Sequence, residues 1–466
     1  MEVEEGNNAD AGDINEGNND VLCNKLADST LRELDGMFPM SGNSSSSLGS
    51  ECSIHRVPNK FYKGGQNYYV PELVAIGPYY HGDERFINME VHKQRYVHAL
   101  LGRISTPESR PEKLKALFEV VGNLEEKVRE SYSSDSIIVN EEKKDDFRKM
   151  ILFDGLFIVE LLLRSEEPDT YKKDPNDPIF NTSWMYASLV RDMILLENQL
   201  PLFILEKLFS KMKEFDQNSQ NKTITRLALR FFKTLIPNDQ EILSEGDGKF
   251  AKTKHLLDVL YKVLFDVECG KATNSNSRGL SSAVKLERAG VRFKKADKHR
   301  CFLDIKFKHE ALEIPVLHIE DHFEVFLRNL IAWEQCSNIK ENRPFVVTSY
   351  AFLMESMINT ESDVELLCRR EIITHSLGCD EDVSLLFNNL CKEVTLEKFF
   401  YSEVCEQVED YSKTLWHTWR EWLTRKYFRS PWACMSLFTA MLLLLFAFVG
   451  AVGGVFSALS YLFHKS

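Results

Sequence analysis

The sequence predicts a mainly α protein: a large helical globular domain with a small β-hairpin element, followed by one C-terminal transmembrane helix. Three observations predict it. Apolar residues recur at helical spacing through most of the chain from residue 88 to residue 410. Two short alternating runs interrupt them between residues 301 and 319. From Trp432 to Phe463 there is no Asp, Glu, Lys, Arg or His, and a membrane-spanning helix needs about 20 such residues.

Residues 1–51 hold ten acidic side chains within their first 35 positions against Lys25 and Arg32, with Asn/Gly repeats and the tract SGNSSSSLGS. Such a segment buries too little apolar surface to offset chain entropy, so it is expected to be a disordered tail. The helical domain proper is assigned to residues 52–410. It opens on SIHRVP and NYYVPELVAIGPYYHG, where Pro58, Pro71, Gly77, Pro78 and Gly82 predict turns and short extended pieces.

Helical periodicity starts near Asn88 with Met89, Val91, Tyr96, Leu100 and Leu101. A second long helix is predicted from Pro111 to Ser131. DDFRKMILFDGLFIVELLLRS, residues 145–165, is apolar nearly all round and predicts a deeply buried helix, while Asp154 and Glu160 argue against a membrane span. In SLVRDMILLENQLPLFILEKLF two apolar helical stretches are predicted to meet at Pro201, because proline lacks an amide proton and restricts Leu200. Glu197, Asn198 and Gln199 stand at that joint, able to satisfy the backbone groups that the break leaves open. Catalysis by Glu197 is the competing reading.

Residues 214–250 and 268–282 read as linkers. CFLDIKF and LEIPVLHI then alternate about KHEA and predict a β-hairpin, after which helices resume from HFEVFLRNLIAWEQC onward. Residues 411–431 are assigned as an amphipathic juxtamembrane helix, and 432–463 as the anchor. Arg420, Arg425, Lys426 and Arg429 precede the apolar run while Lys465 follows it, and Trp416, Trp419, Trp422 and Trp432 flank it on the same side. Positive charge on the upstream side predicts a tail anchor with a cytosolic N-terminal domain. No secretory signal opens the chain. Gly450, Gly454 and Ala458 form a small-residue stripe that would let two such helices pack as a homodimer.

The ten cysteines are scattered without CxxC spacing, which suits a reducing compartment. Sequons at Asn43, Asn181 and Asn221 would matter only on an extracytoplasmic side. The net charge of −13 resides mostly in the first 50 residues, so the near-neutral body argues against a nucleic-acid binder. The cluster Arg288, Arg292, Lys294, Lys295, Lys298 and Arg300 is either a solvated face or a contact with anionic lipid.

Several blocks in order resemble the plant family of domain of unknown function 247: VAIGPYYHG with MEVHKQRY, DMILLENQLPLFIL, GVRFK with FLDIKF and LEIPVLHIED, NLIAWEQC, and the apolar C-terminus. The resemblance marks Gly77, Pro78, His81, Gly82, Glu197, Asn198, Gln199 and Pro201 as family-motif positions of structural type. It implies a plant membrane protein of no established biochemistry, with some grass members implicated in self-incompatibility. Tyr80 stands where the family commonly has a second His, which argues against a paired-histidine metal site.

No phosphate-binding loop, nucleophile elbow or dinucleotide fingerprint occurs, and His318 and His322 in HIEDH fit no zinc-protease spacing. No catalytic, cofactor-binding or metal-ligating residue is selected. The expectation is therefore a membrane-anchored, non-enzymatic protein presenting an interaction surface in recognition or signalling, with lipid and an unidentified protein as partners. The alternatives are a membrane-tethered hydrolase with an unrecognised site and an extracellular-facing recognition protein.

Overall fold

The computed structural model describes residues 52–65, 68–133, 144–166, 177–215, 221–236, 247–250, 252–265, 279–296, 301–341, 345–396, 398–413 and 431–463. The tail expected for 1–51 and the expected juxtamembrane cations and tryptophans lie outside these residues or have side chains that do.

The core is organised by the helix that the sequence marks as apolar all round. Helices α1 (Ile87–Ile104), α2 (Arg110–Glu130) and α3 (Lys144–Glu166) follow one another, and α3 packs against α1 and α2. From Leu156 to Leu163 its side chains are buried without a break, because neighbours cover every face. Gly155 permits one of these approaches: a Cβ there would stand 2.6 Å from Leu208 Cδ1. Leu208 belongs to α5, which follows α4 (Ser183–Asp192) and spans Leu202–Lys213.

Between α4 and α5 the sequence predicts two helices touching at Pro201. The chain instead leaves the helix after Asp192 and runs non-helical to Pro201, which caps α5 with φ −57° and ψ 133°. The reason is local competition: the Asn198 amide donates to Asp192 O at 3.0 Å, and the Gln199 amide donates to Met193 O at 2.8 Å and Leu195 O at 2.9 Å. Side chains thus take carbonyls that a continuing helix would have used. The stretch read as a linker, 214–250, contains a further helix, α6 (Ile224–Phe231), which packs on α3 and buries Leu227, Ala228 and Phe231.

Helices α7 (Leu256–Phe265) and α8 (Ala283–Arg288) precede the β region. The hairpin is present but shorter than the alternation suggests: β2 (Lys306–Lys308) pairs antiparallel with β3 (Ala311–Ile314). The turn residues His309 and Glu310 both adopt positive φ, 49° and 63°, the geometry that matches strand twist in a two-residue hairpin. β1 (Arg292–Lys295) adds to β3 in parallel. Pro315 then ends β3, and β4 (Leu317–Ile319) pairs in parallel with β5 (Ile373–His375) in a second small sheet. Helices α9 (Phe323–Glu341), α10 (Val346–Met357), α11 (Glu361–Arg369), α12 (Asp380–Leu390) and α13 (Ser402–Ser412) complete the domain.

The C-terminal expectation requires correction. Residues Pro431–Phe463 form one helix, α14, but among the described residues no helix is long and apolar enough to cross a membrane. The predicted transmembrane helix is accordingly withdrawn from the fold. Gly450 and Gly454 face open space, and Ala458 has its side chain outside the described residues.

Candidate functional site

The loop between α4 and α5 and the strap from Ile54 to Gly82 form one buried polar assembly. Strap residues Glu72 to Gly77 make no sheet, so their amides need other acceptors. Asp192 supplies the first: its carboxylate accepts from Glu72 N at 3.0 Å, Leu73 N at 2.6 Å and Val74 N at 2.9 Å. Asn198 supplies the next, accepting from Ile76 N at 2.7 Å and donating to Val74 O at 3.0 Å. Asp154, projecting from α3, accepts from Gly77 N at 2.9 Å.

Burial pushes the Asp192 and Asp154 carboxyls above their ordinary range, opposed by those amides and, at Asp154, by Lys93. Burial disfavours the Lys93 ammonium too, but Asp154 at 2.6 Å and Glu90 at 2.6 Å outweigh it and hold the lysine charged. Lys93 also donates to Ala75 O.

Glu197 closes the assembly. It is 1% exposed and accepts from Val57 N at 2.7 Å, Tyr62 Oη at 3.1 Å, Tyr80 Oη at 2.8 Å and Arg56 Nη1 at 3.4 Å. Burial first and the Glu197 carboxylate second raise both phenols, which keeps them protonated as donors. With four donors on its two oxygens, Glu197 has little acceptor capacity left for a substrate proton. Tyr80 is therefore a structural donor in this chain.

The other motif residues separate into two groups. Gly77 takes φ 73° with its Cβ direction blocked by Gln199 O at 2.9 Å, whereas Gly82 takes φ 81° in open space. Gln199 Oε1 accepts from Leu257 N at 3.2 Å, tying the joint to α7. Pro78 is half-buried, and His81 is exposed with no hydrogen bond to Glu197. His318 contacts Thr374 Oγ1 at 2.6 Å on the exposed side of β4, and His322 is held below its usual pKa by burial and then by Arg191.

Sequence reasoning found Glu197, Asn198 and Gln199 but missed Asp154, Asp192 and Lys93. A charge inside an otherwise apolar run, as at Asp154 and Asp192, was the available signal. Glu334 in NLIAWEQC repeats the pattern: it accepts from Val347 N, Thr348 N, Thr348 Oγ1 and Tyr261 Oη between 2.7 and 2.9 Å. Among the described residues one group has the make-up of a metal site, Cys368, His375 and Asp380. No disulfide joins the described cysteines.

A family profile described as a plant protein of unknown function, domain of unknown function 247, matches residues 54–446. The chain belongs to this family. Among its relatives in Arabidopsis thaliana, UPF0481 protein At3g47200 is 28% identical over 432 residues, covering 86% of each chain. Putative UPF0481 protein At3g02645 is 22% identical over 503 residues, covering 87% of this chain and 90% of its own. No solved structure matches it. In this member of the 247 family, the two motif blocks VAIGPYYHG and DMILLENQLP are the two sides of one hydrogen-bonded assembly.

Proposed function

We propose that this protein is non-enzymatic and acts in recognition or signalling by presenting an interaction surface at a membrane. The observation that carries the reading is α14: Phe438, Leu443, Leu444, Phe446 and Phe448 are each at least 65% exposed. Contiguous apolar side chains in water mark a surface that lipid or an apolar partner covers. The closed acceptor set of Glu197 supports the non-enzymatic half, since the motif's polar groups serve the fold.

Two measurements test it. Flotation of the full chain with liposomes should require Leu443, Leu444 and Phe446, so replacing all three by Asp should abolish it; flotation unchanged by that triple substitution would remove the membrane part. Turnover of ester, phosphoester or peptide substrates that vanishes in Glu197→Gln would establish the hydrolase instead.

A further inference from the structure

Three chemistry-bearing side chains that serve no part of the strap assembly converge at one end of α11 and α12. Cys368 is one residue from the end of α11, His375 is the last residue of β5, and Asp380 is the first residue of α12. Their ligand atoms all lie within 4.8 Å of one another. His375 Nε2 meets Asp380 Oδ1 at 2.9 Å, while Nδ1 is buried without a hydrogen-bond partner. The protein therefore serves only one of the two ring nitrogens, unlike Glu197, whose oxygens are fully engaged.

We propose that Cys368, His375 and Asp380 bind a divalent transition-metal ion of the zinc class. The donor set decides the class: a thiolate and an imidazole suit zinc or cobalt(II), and one carboxylate does not make a calcium or magnesium cage. Tetrahedral bonds of about 2.0 to 2.3 Å place ligand atoms roughly 3.3 to 3.8 Å apart, so side-chain rotation of about 1 Å closes the site around an ion. All three residues are partly exposed, which leaves a fourth position for water. Burial, then the Asp380 carboxylate, raises the Cys368 thiol in the metal-free chain, and the ion would displace its proton. Cys379 lies beside Asp380 but its Sγ meets Asp382 Oδ2 at 3.4 Å, capping α12. It serves as the control.

The test titrates the chelator-treated full chain with cobalt(II) and with zinc. A thiolate-to-cobalt charge-transfer band at one equivalent is expected, together with a rise in Tm on adding zinc. Cys368→Ser should lose the band, Cys368→Ser and His375→Ala should each weaken zinc binding at least about tenfold, and Cys379→Ser should retain both. Absence of a thiolate–cobalt band in the wild-type chain overturns the proposal, as does a band that survives Cys368→Ser and disappears in Cys379→Ser. Should Cys368→Ser or His375→Ala fail to fold, the wild-type and Cys379→Ser spectra decide alone.

Discussion

The Lys93 ammonium and the Asp154 carboxylate meet at 2.6 Å with side-chain exposures of 1% and 3%, an ion pair sealed between α1 and α3. Removing one partner strands the other in the core. Lys93→Met is expected to destabilise the protein by about 3 to 5 kcal/mol in urea unfolding. The double variant Lys93→Met with Asp154→Leu should cost less than the sum of the two single changes, and strict additivity would mean that the pair is not coupled.

Asp192 carries three backbone amides of the strap. Asp192→Ala leaves all three amides without this acceptor, Val74 N in a buried position, and should cost about 2 to 3 kcal/mol. Asp192→Asn keeps one acceptor oxygen in place and should cost clearly less. Equal unfolding midpoints for the two variants would show that the strap does not depend on this side chain.

The motif glycines should respond differently to the same substitution. Gly82→Ala meets only the backbone cost of a left-handed conformation, about 1 to 2 kcal/mol. Gly77→Ala adds to that cost a collision with Gln199 O at 2.9 Å, a backbone atom that cannot swing aside. Thermal unfolding should therefore rank Gly77→Ala well below Gly82→Ala, and the reverse order would contradict the packing of the strap on the joint.

Acid sensitivity is expected at His255. It is fully buried, accepts from Asp258 N at 3.2 Å and stands edge-on to Trp333 at 6.1 Å. Burial, with Lys254 and His55 adding to it and the Ser53 backbone opposing it, lowers its pKa from 6.5 to about 3. The unfolded chain takes up a proton below 6.5 that the folded chain refuses until about 3. Stability from this group is thus complete above 6.5 and declines by about 1.4 kcal/mol per pH unit below it. Urea midpoints at pH 7 and pH 5 should differ by about 2 kcal/mol in this contribution, and His255→Gln should remove the difference.

Helix positions were legible where periodicity was strong. Arg110–Glu130 and Lys144–Glu166 fall within a residue or so of their sequence limits because their apolar spacing has a single structural solution. The boundary after Asp192 was not legible, since Met193 to Leu200 are apolar enough to read as helix. What ends it is the capture of the Asp192, Met193 and Leu195 carbonyls by the Asn198 and Gln199 side chains, at a joint completed by strap residues more than a hundred positions away. β5 was hidden for a similar reason: three residues following α11 acquire strand geometry only by pairing with β4. At the candidate site, Glu197, Asn198 and Gln199 were visible from their place beside proline. Asp192 and Asp154 become intelligible only when the strap is laid against them. Convergence of Cys368, His375 and Asp380 had no spacing signature, because helix packing rather than chain order brings them together. The apolar content of Pro431–Phe463 was legible, but the membrane span inferred from it was not sustained.

The strap assembly also fixes an order of events in synthesis. Val57, Leu73 and Ile76 find their acceptors on Glu197, Asp192 and Asn198, sequence separations of 140, 119 and 122 residues. A nascent chain emerging from the ribosome therefore holds the strap open until well past residue 200, closing a long loop before any bond rewards it. Fragments ending before α5 should remain chaperone-bound or be degraded. Separately expressed pieces cut after α2, by contrast, have the complementary halves of this lock and should rescue one another when mixed.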